Sequence, residues 1–264
     1  MPRLAAADSA RRAGEPRDLS EALARGLSVL LAFDAGHAAM TLADVARRTG
    51  LPRATARRAL LTLVHLGFAE AEGRLFRLTP QVLRLAGAYL GASAASTVLQ
   101  PACDRLCAEL GETCSVAILD GEDAVMIAYA SPRRLHAAGA GPGLRLPAFC
   151  SAVGRVLLAH LPEAEQEAVL ARLRPEPVTP FTVTAKPALR RILAEVRAAG
   201  FCLADQEAEL GFRSIAVPLR RPDGRVVAAL NTGCAAAQAS LEAMHRHFLP
   251  RLLAEAAALR GQLL

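Results

Sequence analysis

Behind Ser20, the residues Leu23, Leu27, Leu30 and Leu31 recur at three- and four-residue spacings, which predicts a helix capped by that serine and stopped between Asp34 and Gly36. Thr41-Leu42-Ala43-Asp44 has the form of a short capping box and opens a second helix ending at Gly50. After Leu51-Pro52, a third helix carries Ala56, Leu60 and Leu63 on one face and ends at Gly67. The period then changes. Phe68–Glu72 and Arg74–Leu78 read as two short strands around a tight turn at Gly73. Thr79 followed by Pro80 places a cap before proline at the first helical position, so a helix is expected over Pro80–Ala92, with Val82, Leu85, Ala86 and Tyr89 as its apolar stripe. The small residues of Gly91–Ser96 mark the expected domain boundary, and residues 1–18, polar and aperiodic, are expected to form a disordered tail.

Beyond the boundary, Thr97–Leu110 reads as an amphipathic helix closed by Gly111. Thr113–Leu119 and Ala124–Ala130 are apolar runs of strand length on either side of Asp120-Gly121, a hairpin signal. Leu135–Ala140 is a further candidate strand. Helices are expected at Phe149–Leu161, Glu163–Arg172, Ala188–Gly200 and Ser240–Leu263, and strands at Phe201–Asp205, Arg213–Leu219 and Val226–Thr232. Strands mixed with covering helices make this an α+β domain.

Composition narrows the class. Apolar residues are 53% of the 264, enough for a substantial core and too many for a disordered chain. No apolar run reaches the ~18 residues of a membrane helix, and the N-terminus lacks the apolar stretch of a secretory signal. Cys103, Cys107, Cys114, Cys150, Cys202 and Cys234 are too scattered for a disulfide scaffold, so the cytoplasm is the expected compartment. The net charge of +6 is unevenly spread: residues 1–90 hold 13 arginines against 8 carboxylates, the remainder 18 cations against 17. A basic third joined to a nearly neutral remainder fits a module that faces a polyanion, or a merely solubilising surface.

The third helix favours the polyanion. With Ala56, Leu60 and Leu63 facing inward, Ala54 and Arg58 fall nearly opposite, Thr55 and Arg57 lie on the flanks, and Arg53 is in the first turn. Arginines read guanine edges or hold phosphates, and a small residue between them permits close approach to a groove. Arg74, beside Gly73 at the tip of the expected hairpin, is a phosphate-contact candidate. Three helices followed by a two-stranded wing is the order of a winged helix-turn-helix.

The stretch Leu19–Leu78 resembles the N-terminal domain of IclR-family transcriptional regulators through Ala24-Arg-Gly-Leu27, Thr41–Gly50, Leu51–Arg58, Leu66-Gly67 and Phe76-Arg-Leu78. The likeness continues through Cys114–Ala117, Arg133-Arg134, Leu146–Ser151, Gly154–Ala159, Glu207, Glu209–Ala216 and Ala228–Asn231, and so covers nearly everything after residue 18. Arg133-Arg134 and Leu146-Pro-Ala-Phe-Cys150 resemble the branch that regulates aromatic-acid catabolism, in the protocatechuate, 4-hydroxybenzoate and β-ketoadipate pathways. After the tail (1–18), the expected organisation is a winged helix-turn-helix domain (19–79), a linker helix (80–96) and, as the resemblance implies, a GAF-like effector-binding domain (97–264). The resemblance also implies dimers that assemble into tetramers on a palindromic operator in duplex DNA, controlling a neighbouring operon. Thr41, Arg53, Ala54, Thr55, Arg57, Arg58 and Arg74 form the expected DNA-contact set.

By the same resemblance the effector, a small carboxylic acid, sits against Cys150-Ser151-Ala152-Val153, with Ala204-Asp205 and Ser214 as a second wall and Asn231 with Gly233 as a third. Amides at a helix start suit a carboxylate. Phe149 and the small Gly233 leave room for a ring, which favours 4-hydroxybenzoate or protocatechuate; a small aliphatic acid of the pyruvate or glyoxylate type is the alternative. Arg134 and His136 share one face of the candidate strand and Arg133 the other, so either an arginine grips the carboxylate or both are exposed cations. Arg213 is expected to pair with Glu207 or Glu209. Cys103 and Cys107, four apart with Cys114 following, raise a metal site against the commoner meaning of buried small hydrophobes. Ser151 lacks the glycine before serine of a nucleophile elbow, and the reading is of no catalytic residue, no cofactor and no metal, with a small hydrolase using Ser151 or Cys150 as the alternative of a different class.

Overall fold

The computed structural model describes residues 19–34, 36–92, 94–132 and 140–263. The expected tail, Arg133, Arg134, His136 and all but the last residue of the candidate strand at Leu135–Ala140 lie outside these. The chain divides into two compact units, the first reaching Ala88 and the second beginning at Tyr89.

In the first unit, α1 (Glu21–Leu30) starts at Ser20, whose hydroxyl accepts from the Leu23 amide. α2 (Leu42–Thr49) is entered through a full capping box between Thr41 and Asp44 and ends at Gly50 in a left-handed conformation, φ 69°. α3 (Arg53–His65) turns Ala56, Leu60 and Leu63 into a core shared with Val29, Met40 and Val45. Antiparallel β2 (Ala69–Glu72) and β3 (Leu75–Leu78) form the hairpin, turning at Gly73, φ 61°. A three-residue strand not foreseen from the pattern, β1 (Ala39–Thr41), adds to β3 with Met40 opposite Phe76, giving the order β1-β3-β2. Three residues are too few to display a period. Thr79 caps one tight helical turn at Pro80–Val82, which leads into α4 (Leu83–Ala92).

The segment read as a loop-like boundary is helical: α4 extends to Ala92, and α5 (Ala94–Leu110) begins three residues earlier than its apolar pattern. Alanine, taken there for flexibility, is the best helix former.

The second unit is a six-stranded antiparallel sheet ordered β6-β5-β4-β9-β8-β7. It is built from β4 (Thr113–Asp120), β5 (Asp123–Ala130), β6 (Arg145–Pro147), β7 (Cys202–Asp205), β8 (Phe212–Arg220) and β9 (Val226–Ala235). Between β6 and β7 run α6 (Ala152–Ala159), α7 (Glu163–Arg172) and α8 (Lys186–Ala199). Period-two alternation splits the core. Val116, Ile215, Val217 and Leu230 face α5 and the C-terminal helix, while Ala117, Ala216 and Ala229 face α6 to α8. Cys103, Cys107 and Cys114 lie in the first of these apolar layers, and burial pushes the Cys114 thiol up to about 12. The closing helix is interrupted. After α9 (Leu241–Ala243), a wide turn with i to i+5 geometry spans Met244–Phe248 before α10 (Leu249–Leu259). Pro250 has no N–H to give the carbonyl four residues back, which accounts for the break.

Candidate functional site

The exposed side of α3 is as the pattern requires: Arg53, Ala54, Arg57 and Arg58 are exposed, and Thr55 is half-buried. Four other arginines of this unit are paired with carboxylates. Arg25 pairs with Glu21, Arg47 with Asp44 at 2.5 Å, Arg48 with Asp34 at 2.6 Å and Arg77 with Glu72 at 3.3 Å. Arg53, Arg57, Arg58 and Arg74 meet no carboxylate among the described residues, so their charge is available to an external anion. Thr41 behaves differently. Its hydroxyl donates to Asp44 Oδ2 at 2.7 Å and accepts from the Asp44 amide at 3.3 Å, which occupies it as the cap of α2.

In the second unit a cavity of about 340 Å³ opens beside the start of α6, within the ~300–1,000 Å³ typical of small-molecule sites. Ser151, Ala152 and Val153 line it, together with Ser214 from β8, Asn231 and Gly233 from β9, and Ser115 from β4. Met126 and Tyr129 of β5, and the loop from Ala208 to Gly211, complete the walls. Ser151 is the cap of α6: its Oγ accepts from the Gly154 amide at 3.2 Å and donates to the Pro147 carbonyl at 3.0 Å. Of the amides left at the start of the helix, those of Ala152 and Val153 keep no acceptor among the described residues and belong to cavity-lining residues.

Three expected members of the set stand elsewhere. Cys150 is buried away from the cavity, and burial pushes its thiol up to about 11, the opposite of an activated nucleophile. Phe149 is likewise packed in the core, its carbonyl accepting from Arg155 Nε at 2.8 Å. Asp205 falls on the opposite sheet face from Ser214, where it holds Arg213 at 2.6 Å, and that bond keeps its carboxyl below the usual range. Arg213 therefore pairs with Asp205 rather than with Glu207 or Glu209. Glu207 instead takes Arg155 from α6.

The ring expected from Phe149 is supplied by Phe212. Gly233 does not open free space: a Cβ there would stand 2.4 Å from Phe212 Cζ, because that ring lies across it. Phe212 was legible in principle, being two residues before Ser214 on the same face of one strand. Glu112, just before β4, also lines the cavity and carried no sequence signal. One of its carboxylate oxygens, Oε2, is buried without a partner among the described residues, and burial raises its pKa.

A three-helix unit with a wing and uncommitted arginines, followed by a sheet domain with a ligand-sized cavity, is the plan of a ligand-responsive DNA-binding regulator. Two family models match. Residues 22–73 match the IclR helix-turn-helix domain, and residues 87–260 match the bacterial transcriptional regulator IclR C-terminal domain. The chain belongs to the IclR family of bacterial transcriptional regulators. It is 39% identical over 251 residues to the Pca regulon regulatory protein of Pseudomonas putida, covering 95% of this chain and 86% of that one. It is 35% identical over 219 residues to the p-hydroxybenzoate hydroxylase transcriptional activator of Acinetobacter baylyi, covering 81% of each. An IclR homolog from Microbacterium hydrocarbonoxydans, solved in complex with 4-hydroxybenzoate, superposes with a TM-score of 0.75 at 31% identity, over 92% of this chain and 98% of that one. No helix among the described residues is long and apolar enough to cross a membrane.

Proposed function

We propose that this chain regulates transcription under the control of an aromatic carboxylic acid, such as 4-hydroxybenzoate or protocatechuate, and acts without catalysing a reaction of its own. The observation that carries the reading is the cavity itself: two unsatisfied helix-start amides, the Ser214 hydroxyl and the Phe212 ring around a volume that fits a small aromatic acid. The carboxylate lies against Ala152 and Val153, where amide dipoles and hydrogen bonds stabilise negative charge. Arg134 and His136 are assigned to the same ligand because they share one face of the strand expected at Leu135–Ala140 and an arginine there grips a carboxylate. The relatives' regulatory roles and the 4-hydroxybenzoate complex of the homolog support the same ligand class.

On the DNA side, Arg53, Ala54, Thr55, Arg57 and Arg58 contact the major groove, and Arg74 contacts a flanking phosphate. The protein binds as a dimer on a palindromic operator, with domains at 19–79 and 97–264 and a linker helix at 80–96. Exposed Leu23 and Leu27 of α1, and exposed Leu85 and Tyr89 of α4, support a partner surface, since apolar side chains at helical spacing gain by burial.

Calorimetric titration of 4-hydroxybenzoate, protocatechuate and pyruvate into wild type and Arg134→Ala tests the effector. Aromatic acids bind wild type and pyruvate does not. Binding of pyruvate alone overturns the reading, and wild-type affinity in Arg134→Ala removes that residue from the site.

A further inference from the structure

Two buried acceptors in the cavity wall have no donor among the described residues. The Asn231 side chain is 8% exposed; its Nδ2 donates to Ser115 Oγ at 3.4 Å, and its Oδ1 is left buried and unpartnered. Glu112 Oε2 is in the same condition, and both residues line the cavity. A buried acceptor without a donor loses its hydration and gains nothing in return, so such atoms are rare unless something else supplies the hydrogen. This changes the part Asn231 can play. One of its two Nδ2 hydrogens is given to Ser115, and its unpartnered Oδ1 offers the ligand an acceptor, which a carboxylate cannot use.

Ala229 packs in the apolar layer shared with α6. Asn231 follows on the same face, and Gly233 two residues later, with each pair of residues advancing about 6.6 Å. Gly233 pairs with Thr113, the neighbour of Glu112. The acceptor-bearing residues stand beside the pairing of β4 with β9, with the Phe212 ring across Gly233 and Ser214 opposite Gly233 on the neighbouring strand. A second carboxylate fares badly there, because Glu112 and Glu209 both line the wall and like charges repel.

Resting on the aromatic-acid reading above, we propose that Asn231 and Glu112 are specificity-determining residues, one of which accepts the single hydrogen of a ring hydroxyl, selecting a hydroxylated monoacid over its unsubstituted, etherified or dicarboxylic analogues. The test is calorimetric titration of the full chain with 4-hydroxybenzoate, benzoate, 4-methoxybenzoate and terephthalate. 4-Hydroxybenzoate binds about 10-fold or more tighter than each of the others, as a site built around a hydroxyl discriminates against ligands lacking it. In Asn231→Leu or in Glu112→Leu, whichever removes the acceptor in use, the ratio to benzoate falls toward one. Equal affinity of wild type for 4-hydroxybenzoate and benzoate overturns the proposal while leaving an aromatic-acid effector standing, as does a terephthalate affinity matching that of 4-hydroxybenzoate. An unchanged ratio in both variants overturns the assignment to these two residues. Failure of all four acids to bind overturns the effector reading and this proposal with it.

Discussion

Arg155 and Glu207 meet fork to fork inside the effector unit, Nη1 to Oε1 at 2.5 Å and Nη2 to Oε2 at 2.6 Å, with side chains 3% and 12% exposed. Arg155 belongs to α6, whose first turn lines the cavity. Glu207 begins the loop whose residues Ala208 to Gly211 form another wall, and it also accepts from the Val183 amide at 3.0 Å. The pair ties two walls of the cavity to each other and to the segment before α8. Its preceding residue, Gln206, holds a left-handed conformation, φ 59°, that few non-glycine residues adopt.

Breaking this pair strands a buried charge. Arg155→Met is expected to cost about 3–5 kcal/mol in urea unfolding, and the double replacement Arg155→Met with Glu207→Leu to recover much of that loss, because it removes both charges together. A double variant as unstable as the single one contradicts the electrostatic account.

The Phe212 ring over Gly233 sets the second expectation. Gly233→Ala places a methyl where the ring now lies, so the ring moves and the cavity changes shape. Affinity for 4-hydroxybenzoate is expected to fall 10-fold or more by calorimetry, with operator binding by the other unit retained. Unaltered affinity means that Phe212 does not shape the bound ligand's surroundings.

Local rules carried much of the architecture. Ser20, Thr41, Gly50, Gly73 and Thr79 act as caps and turns where their chemistry put them, and Ala56, Leu60 and Leu63 face the core. The exposed arginines of α3 followed from that face alone. The cavity was legible only in part. Ser151, Ala152, Val153, Ser214, Asn231 and Gly233 line it, whereas Asp205 does not, because strand alternation puts it on the far face from Ser214. The aromatic wall fell to Phe212 instead of Phe149 because α6 begins three residues after Phe149, which leaves that ring in the core. Glu112 was invisible, since its place depends on pairing between β4 and β9, more than a hundred residues apart in sequence.

Charge on α3 gives a third expectation. Arg57→Ala and Arg58→Ala are each expected to weaken operator binding by about 1–3 kcal/mol where a base edge is read, and to weaken all duplexes alike where a phosphate is held. Affinity falls steeply as salt rises. Arg191→Ala, on α8 and paired with Glu195, leaves DNA affinity unchanged. Fluorescence anisotropy with a duplex from the promoter of its own or the adjacent gene measures all three, and loss in the Arg191 variant alone contradicts the assignment.

Asp44 makes the entry to α2 sensitive to acid. Its hydrogen bonds from the Thr41 hydroxyl and amide, with Arg47 nearby, hold its carboxyl below the usual carboxylate range. A pKa lowered by folding contributes stability that is present above the unfolded value, about 3.9, and lost as pH falls through the lower folded value. The urea midpoint of wild type is therefore expected to exceed that of Asp44→Asn at pH 7, with the gap closing below about pH 4. A gap that widens on acidification contradicts the capping role.

The most direct test of the account is a crystal structure of the full chain with 4-hydroxybenzoate. The carboxylate is expected within hydrogen-bond distance, about 2.9 Å, of the Ala152 and Val153 amides, with the ring against Phe212 and the hydroxyl turned toward Asn231 and Glu112. A ligand bound outside this cavity, or one with its carboxylate at Glu112 and its hydroxyl at the start of α6, contradicts it.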